Sequence, residues 1–218
     1  MGLKKKIVSL LAVLFLTASF GFVSMGYGYH DALSNQQNET LPIGDWEFGM
    51  TYLTGFEGLT NTNAAFVGNV SLDGIIWTIS SVIRGNTAND LKIDTQSARF
   101  VKNSSMESTT SFSGMSSISF HIGKAVDSPS RSAKTYTISV RSETSSWTSV
   151  YSTTLPNSLT FVEIDMATLL ANGITLTGGG TATVSTPLYV RVGFQGGVGG
   201  NPTHQDMNLD NFKINYTA

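Results

Sequence analysis

The chain has 218 residues, of which 40% are hydrophobic and 13% charged, with no cysteine and a formal net charge of −2. The absence of cysteine excludes disulfides and thiol chemistry, so the fold must rest on a packed core, with or without a metal. A net charge this close to zero gives no electrostatic reason to seek polyanions; nucleic acid is not an expected partner, and partners are expected to be neutral or small.

At the N-terminus, Lys4, Lys5 and Lys6 precede an uncharged apolar run from Ile7 to Met25, the layout of an export signal. Residues 1–28 therefore read as a signal peptide or signal anchor. Small residues around Ser24 to Gly28 would host a cut, and an uncut run would be nearly long enough to span a bilayer, the only membrane contact expected. Residues 29–42 are polar without apolar periodicity and read as a linker, and residues 43–218 as one domain. The expected location is secreted or at the cell surface.

Within that domain the apolar residues alternate in short runs: Ile75, Trp77 and Ile79; Ile118 and Phe120; Tyr136, Ile138 and Val140; Leu188, Val190, Val192 and Phe194. Period two predicts strands, and Trp77 shares the core phase of its neighbours. The stretches between are rich in Gly, Asn, Ser and Thr and supply turns, including the glycine clusters at 178–180 and 193–200. One short helix is predicted at Met166 to Asn172, capped by Asp165 and stopped by Gly173, as a crossover outside the core. The fold class is all-β, a single sandwich of about eight to ten strands.

Two phrases at the ends of the domain carry a resemblance: Thr54-Gly55-Phe56-Glu57-Gly58, followed by Gly74-Ile75-Ile76-Trp77, and the closing Asn208-Leu209-Asp210-Asn211-Phe212-Lys213-Ile214. This pattern resembles the jelly-roll carbohydrate-binding modules of secreted bacterial proteins, within the galactose-binding-like sandwich group, and the similarity spans Tyr52 to Tyr216. The resemblance implies a jelly-roll sandwich that binds carbohydrate or a cell-surface glycan. It also implies a structural calcium ion held by Glu57 and Asp210, a hard oxygen-ligand set. The alternative is that these two carboxylates cap strands or meet basic side chains.

Phe161-Val162-Glu163-Ile164-Asp165-Met166 puts two carboxylates on one strand face, as paired carboxylates in glycoside hydrolysis often are, and is similar to part of the E-x-D-x-x-E signature of jelly-roll β-glucanases, so the alternative reading is a jelly-roll glycoside hydrolase or lyase using Glu163 and Asp165. The third acid would fall at Thr168, so the pair is incomplete, and Asp165 serves equally well as a helix cap. His30, His121 and His204 make no metal cluster, although His204 and Asp206 share a loop, and no serine sits in a nucleophile elbow. Catalysis is therefore not expected. Binding calls for aromatic rings beside hydrogen-bonding groups, and the side chains singled out are Trp147, Tyr151, Tyr189, Arg141 and Arg191. A structural surface subunit would instead show an aromatic-poor face or a long exposed edge strand.

Overall fold

A computed structural model of the protein describes residues 49–126, 134–195 and 206–217. The chain divides into two units, and the second, Glu47–Ala218, holds every described residue. The signal and linker segments, His30, His204 and the glycine-rich stretch 196–200 lie outside the described residues. No helix among the described residues is long and apolar enough to cross a membrane.

The alternating runs form twelve strands: β1 Gly49–Thr54, β2 Val67–Leu72, β3 Ile75–Gly85, β4 Ser97–Ser108, β5 Ser113–Lys124, β6 Thr135–Arg141, β7 Thr148–Thr154, β8 Thr160–Asp165, β9 Ile174–Thr175, β10 Thr181–Ala182, β11 Tyr189–Gln195 and β12 Met207–Thr217. Apart from the small β9–β10 ribbon they join one antiparallel network. β3 and β4 are long enough to serve both layers. Their 77–80 and 105–108 stretches build a first leaf in the order β2-β3-β4-β11-β6-β7. Residues 98–100 of β4 instead pair with β12, and the second leaf continues to β5 and β8, with β1 on β12. The expected all-β sandwich is what the chain forms.

Two residues with positive φ explain how β3 and β12 keep their apolar phase across a register shift. Trp77 and Ile79 face the core; strict alternation would then bury Ser81 and expose Val82. Ser81 adopts φ 55° at the register shift between Ser80 and Val82, and Val82 is fully buried. Asn211, φ 47°, does the same in β12, carrying the buried phase from Met207 and Leu209 to Phe212 and Ile214. Asn tolerates the left-handed region better than most residues.

The leaves meet through aromatic rings. Trp77 of the first leaf stands edge-on to Phe212 of the second at 5.7 Å, Phe212 stacks on Phe120 at 6.0 Å, and Phe120 meets Tyr136 of the first leaf at 6.0 Å. Each such ring removed from water contributes about 2–3 kcal/mol. The Trp77 indole N–H donates to the Tyr52 hydroxyl at 2.9 Å, so its polar edge is satisfied inside the core.

The predicted helix is α1, Met166–Ala171, with Asp165 accepting from the Thr168 amide at 2.9 Å and Gly173 at φ 79° beyond its end. It is not outside the core as expected. Met166 and Leu170, four apart on one helical face, are both buried.

Candidate functional site

Antiparallel register fixes which side chains share the outer face of the first leaf. Val190, Val192 and Phe194 of β11 point inward, so Tyr189, Arg191, Gly193 and Gln195 point out; in β6 the outward set is Thr135, Thr137, Ser139 and Arg141. Following the pairing from edge to edge, Asn69, Thr78, Glu107, Arg191, Ser139 and Ser149 stand opposite one another, one from each of the leaf's six strands. Five inter-strand steps make this polar row about 24 Å long. The Thr78 hydroxyl donates to Asn69 Oδ1 at 2.8 Å, and Arg191 Nε lies 3.2 Å from Glu107 Oε1.

The neighbouring row is low. It runs through Ser80, Ser105, Gly193, Thr137 and Ser152, all short side chains. Glycine keeps it low without strain: a Cβ at 193 would lie 2.8 Å from Thr137 Oγ1 and would have to displace that side chain. On the other side of the charged row the surface rises. Tyr189 is directly opposite Arg141, whose guanidinium carbon stands 4.4 Å from the Tyr189 ring centroid and 5.1 Å from that of Trp147, while that of Arg191 is 5.9 Å from the same indole. Trp147 is delivered by the β6–β7 hairpin turn, which Ser145 pins by accepting the Ser142 amide at 2.8 Å. These three rings-to-guanidinium contacts fix planar groups at little further entropic cost.

Four of the five expected ligand residues, Trp147, Tyr189, Arg141 and Arg191, thus stand together. Tyr151 does not join them, and this is a correction. A register shift in the β6–β7 pairing places it opposite Ile138, and its ring turns inward against Tyr136 at 5.9 Å. Sequence reasoning also missed Glu107, Asn69, Thr78 and Ser139. Their outward phase is readable from alternation, but their adjacency depends on strand order.

The carboxylates expected at a metal meet over a different surface. Residues 86–96, between β3 and β4, cross the outer face of the second leaf. Asp210, fully buried, accepts from the Ile93 amide at 2.6 Å and the Asn211 amide at 2.7 Å. Glu57 accepts from the Thr95 amide at 3.1 Å, the Gln96 amide at 3.2 Å and the Thr95 hydroxyl. Burial pushes the Asp210 carboxyl above its ordinary range, and the nearby charges of Asp94 and Glu57 push it the same way. The Thr95 hydroxyl bond, aided by the Gln96 and Thr95 amides, holds Glu57 below its ordinary range. Among the described residues no three acidic or imidazole groups are set to hold a metal.

The same loop is held by a buried polar cluster. Arg99 pairs with Asp90 at 3.2 Å and Asp206 at 2.6 Å, while Asn208 donates to Asp90 at 3.1 Å and Ser97 at 3.0 Å and accepts the Leu91 amide at 3.1 Å. Asp206 meets Arg99 through Oδ2, and His204, which shares its loop in the sequence, lies outside the described residues. Glu163 and Asp165 do share the exposed face of β8, but both Asp165 oxygens cap α1, through the Thr168 amide and its hydroxyl. The hydroxyl bond and then the amide hold Asp165 below its ordinary range. His121 lies against the exposed Phe161 ring, centroids 5.1 Å apart.

No known protein family matches the sequence, and no curated protein matches it. Among solved structures the chain is similar to a CBM61 module in complex with β-1,4-galactotriose, at 12% identity and TM-score 0.42, covering 74% of this chain and 93% of that one. It is similar to the CBM22-1 xylan-binding domain from Paenibacillus barcinonensis Xyn10C at 11% identity and TM-score 0.44, covering 79% and 97%. A cleaved adhesin domain of Lys-gingipain from Porphyromonas gingivalis is similar at 12% identity and TM-score 0.44, covering 76% and 97%.

Proposed function

We propose that the chain is an exported, non-catalytic binding module that takes carbohydrate on the outer face of its first leaf. The observation that carries this reading is the convergence of Trp147, Tyr189, Arg141, Arg191 and Glu107 on one open face, beside a low row of hydroxyls. Rings can stack on the apolar face of a sugar, while guanidinium, carboxylate and hydroxyl groups bond its hydroxyls. Export rests on the N-terminal signal pattern. A non-catalytic role is supported by the commitment of Asp165 to capping, which leaves Glu163 without a working partner. Outward aromatics on a six-stranded leaf speak against a purely structural subunit.

The test is native electrophoresis of the protein through gels containing xylan, β-1,4-galactan or polygalacturonate, with binding constants from calorimetry. Retardation by a polysaccharide that weakens about tenfold in Trp147→Ala or Tyr189→Ala, at unchanged melting temperature, is the expected result. No retardation in any gel, or equal retardation of both variants, would overturn the reading.

Calcium belongs to the same proposal as a structural ion beside the 86–96 loop. Asp210, Asp94 and Glu57 gather negative charge, none forms an ion pair among the described residues, and Asn211 Oδ1 and Asp94 Oδ2 both approach Gly55, making the spot rich in hard oxygen donors. Asp210 and Glu57 would hold the ion, with uncharged oxygens such as Asn211 Oδ1 completing its shell. Calcium should then raise the melting temperature and a chelator lower it, and Asp210→Asn should abolish the response. A wild-type melt indifferent to both removes the ion.

A further inference from the structure

Resting on that reading of the first leaf, we infer that the sugar taken by this face carries an anionic oxygen group, a carboxylate or a sulfate. The face holds two guanidinium groups and one carboxylate that answers them. Glu107 lies against Arg191; Arg141 forms no ion pair among the described residues and donates only to the Ser142 carbonyl, at 3.3 Å. A guanidinium has five N–H donors, so most of the Arg141 fork is free. Arg191 is also incompletely used: its Nε is buried and close to Glu107 but has no aligned hydrogen bond.

Desolvation decides what can lie on such a face. A neutral sugar stacked over Arg141 and Trp147 would strip water from a cation that has no counter-charge, a cost its hydroxyls repay only in part. An acidic sugar supplies the missing charge, and a guanidinium recognises planar carboxylate or sulfate oxygens through paired hydrogen bonds. Both guanidinium groups lie within 6 Å of the one Trp147 ring, at 5.1 and 5.9 Å, so stacking and charge pairing act on the same sugar. The rings already hold Arg141 in place, so less side-chain freedom is lost on binding than for a free surface arginine. The net charge of −2, which points toward neutral partners, averages over the chain and does not register that Arg141 has no ion-pair partner among the described residues.

The experiment measures binding of the protein to polygalacturonate, its methyl-esterified form, dextran sulfate and neutral galactan, at low and high salt. Binding to polygalacturonate should be about tenfold tighter than to the ester, should weaken with salt, and should drop about tenfold in Arg141→Gln. Preference for polygalacturonate identifies carboxylate as the source of the anion, preference for dextran sulfate identifies sulfate, and comparable binding of both supports the shared chemistry. Equal binding of the ester, the acid and galactan would overturn the inference while leaving carbohydrate binding intact. No binding to any of the four overturns both. The esterification arm needs no variant and stands even if Arg141→Gln unfolds.

Discussion

On the outer face of the second leaf, Asn208 and Asp210 of β12 point away from the core and yet are fully buried, because residues 86–96 lie across them and donate backbone amides to them. The packing is close enough that a Cβ at Gly123 would lie 2.6 Å from the Leu91 side chain. On the outer face of the first leaf nothing described plays that part. Arg141, Trp147, Tyr189, Arg191 and Glu107 remain half-exposed, and the guanidinium of Arg141 lacks a carboxylate. Polar side chains turned outward from a sandwich thus end in two ways: satisfied by the protein's own loop, or left for something that arrives. The first kind stabilises the fold, and the second defines a binding face.

The sharpest way to break this comparison is Arg99→Ala. Its guanidinium serves Asp90 and Asp206, whose side chains are 1% and 8% exposed, and its removal takes that charge from two buried carboxylates. Breaking a buried pair in this way costs about 3–5 kcal/mol. Denaturant unfolding should show a loss of that size. A loss below about 1 kcal/mol, the range of surface pairs, would mean that the loop is seated by other contacts.

A smaller effect is expected in the pH dependence, where two aspartates of this covered face pull in opposite directions. Burial raises the Asp90 carboxyl, but Thr87, Asn208 and Arg99 outweigh it and leave its pKa below the ordinary 3.8. Its stabilisation is present above the unfolded pKa and is lost as pH falls through the lower folded value. Asp210, raised mainly by burial, behaves the other way: its contribution is full below 3.8 and is lost as pH rises through the higher folded value. Asp210→Asn removes the second slope only. In chelator, the variant should lose more stability than wild type on going from neutral pH to about pH 4, since protonation of Asp210 no longer compensates. Parallel profiles would show that Asp210 carries no such cost.

Much of the sandwich was legible in the sequence because period-two alternation reports burial directly, and Trp77, Ile79, Tyr136, Ile138, Val190 and Val192 are all in the core as their phase requires. The cap of α1 was equally legible, since Asp165 and Thr168 meet through local geometry alone. Tyr151 was not, because a register shift between neighbouring strands overrides phase and leaves no local signal. Glu107 was missed for a topological reason. It lies 84 residues before Arg191 and faces it only because β4 and β11 pair, although β5 to β10 intervene in the chain. The 86–96 loop reads as polar and turn-rich, and nothing in its composition says that its amides close over Asn208 and Asp210.

The smallest effect on stability should come from Glu107→Gln, which probes the open face at its one built-in counter-charge. Glu107 and Arg191 are 30% and 37% exposed at the side chain, so water and salt screen their attraction, and the pair contributes at most about 1 kcal/mol. Denaturation of the variant should therefore differ little from wild type and become less sensitive to salt. Binding should respond in the opposite sense. With Glu107 neutral, Arg191 joins Arg141 as a second unanswered cation, so affinity for an acidic polysaccharide should rise severalfold while affinity for a neutral one stays level or falls. If acidic-polysaccharide binding weakens instead, Glu107 is itself accepting hydrogen bonds from the ligand, and the face would be complementary to sugar hydroxyls rather than to charge.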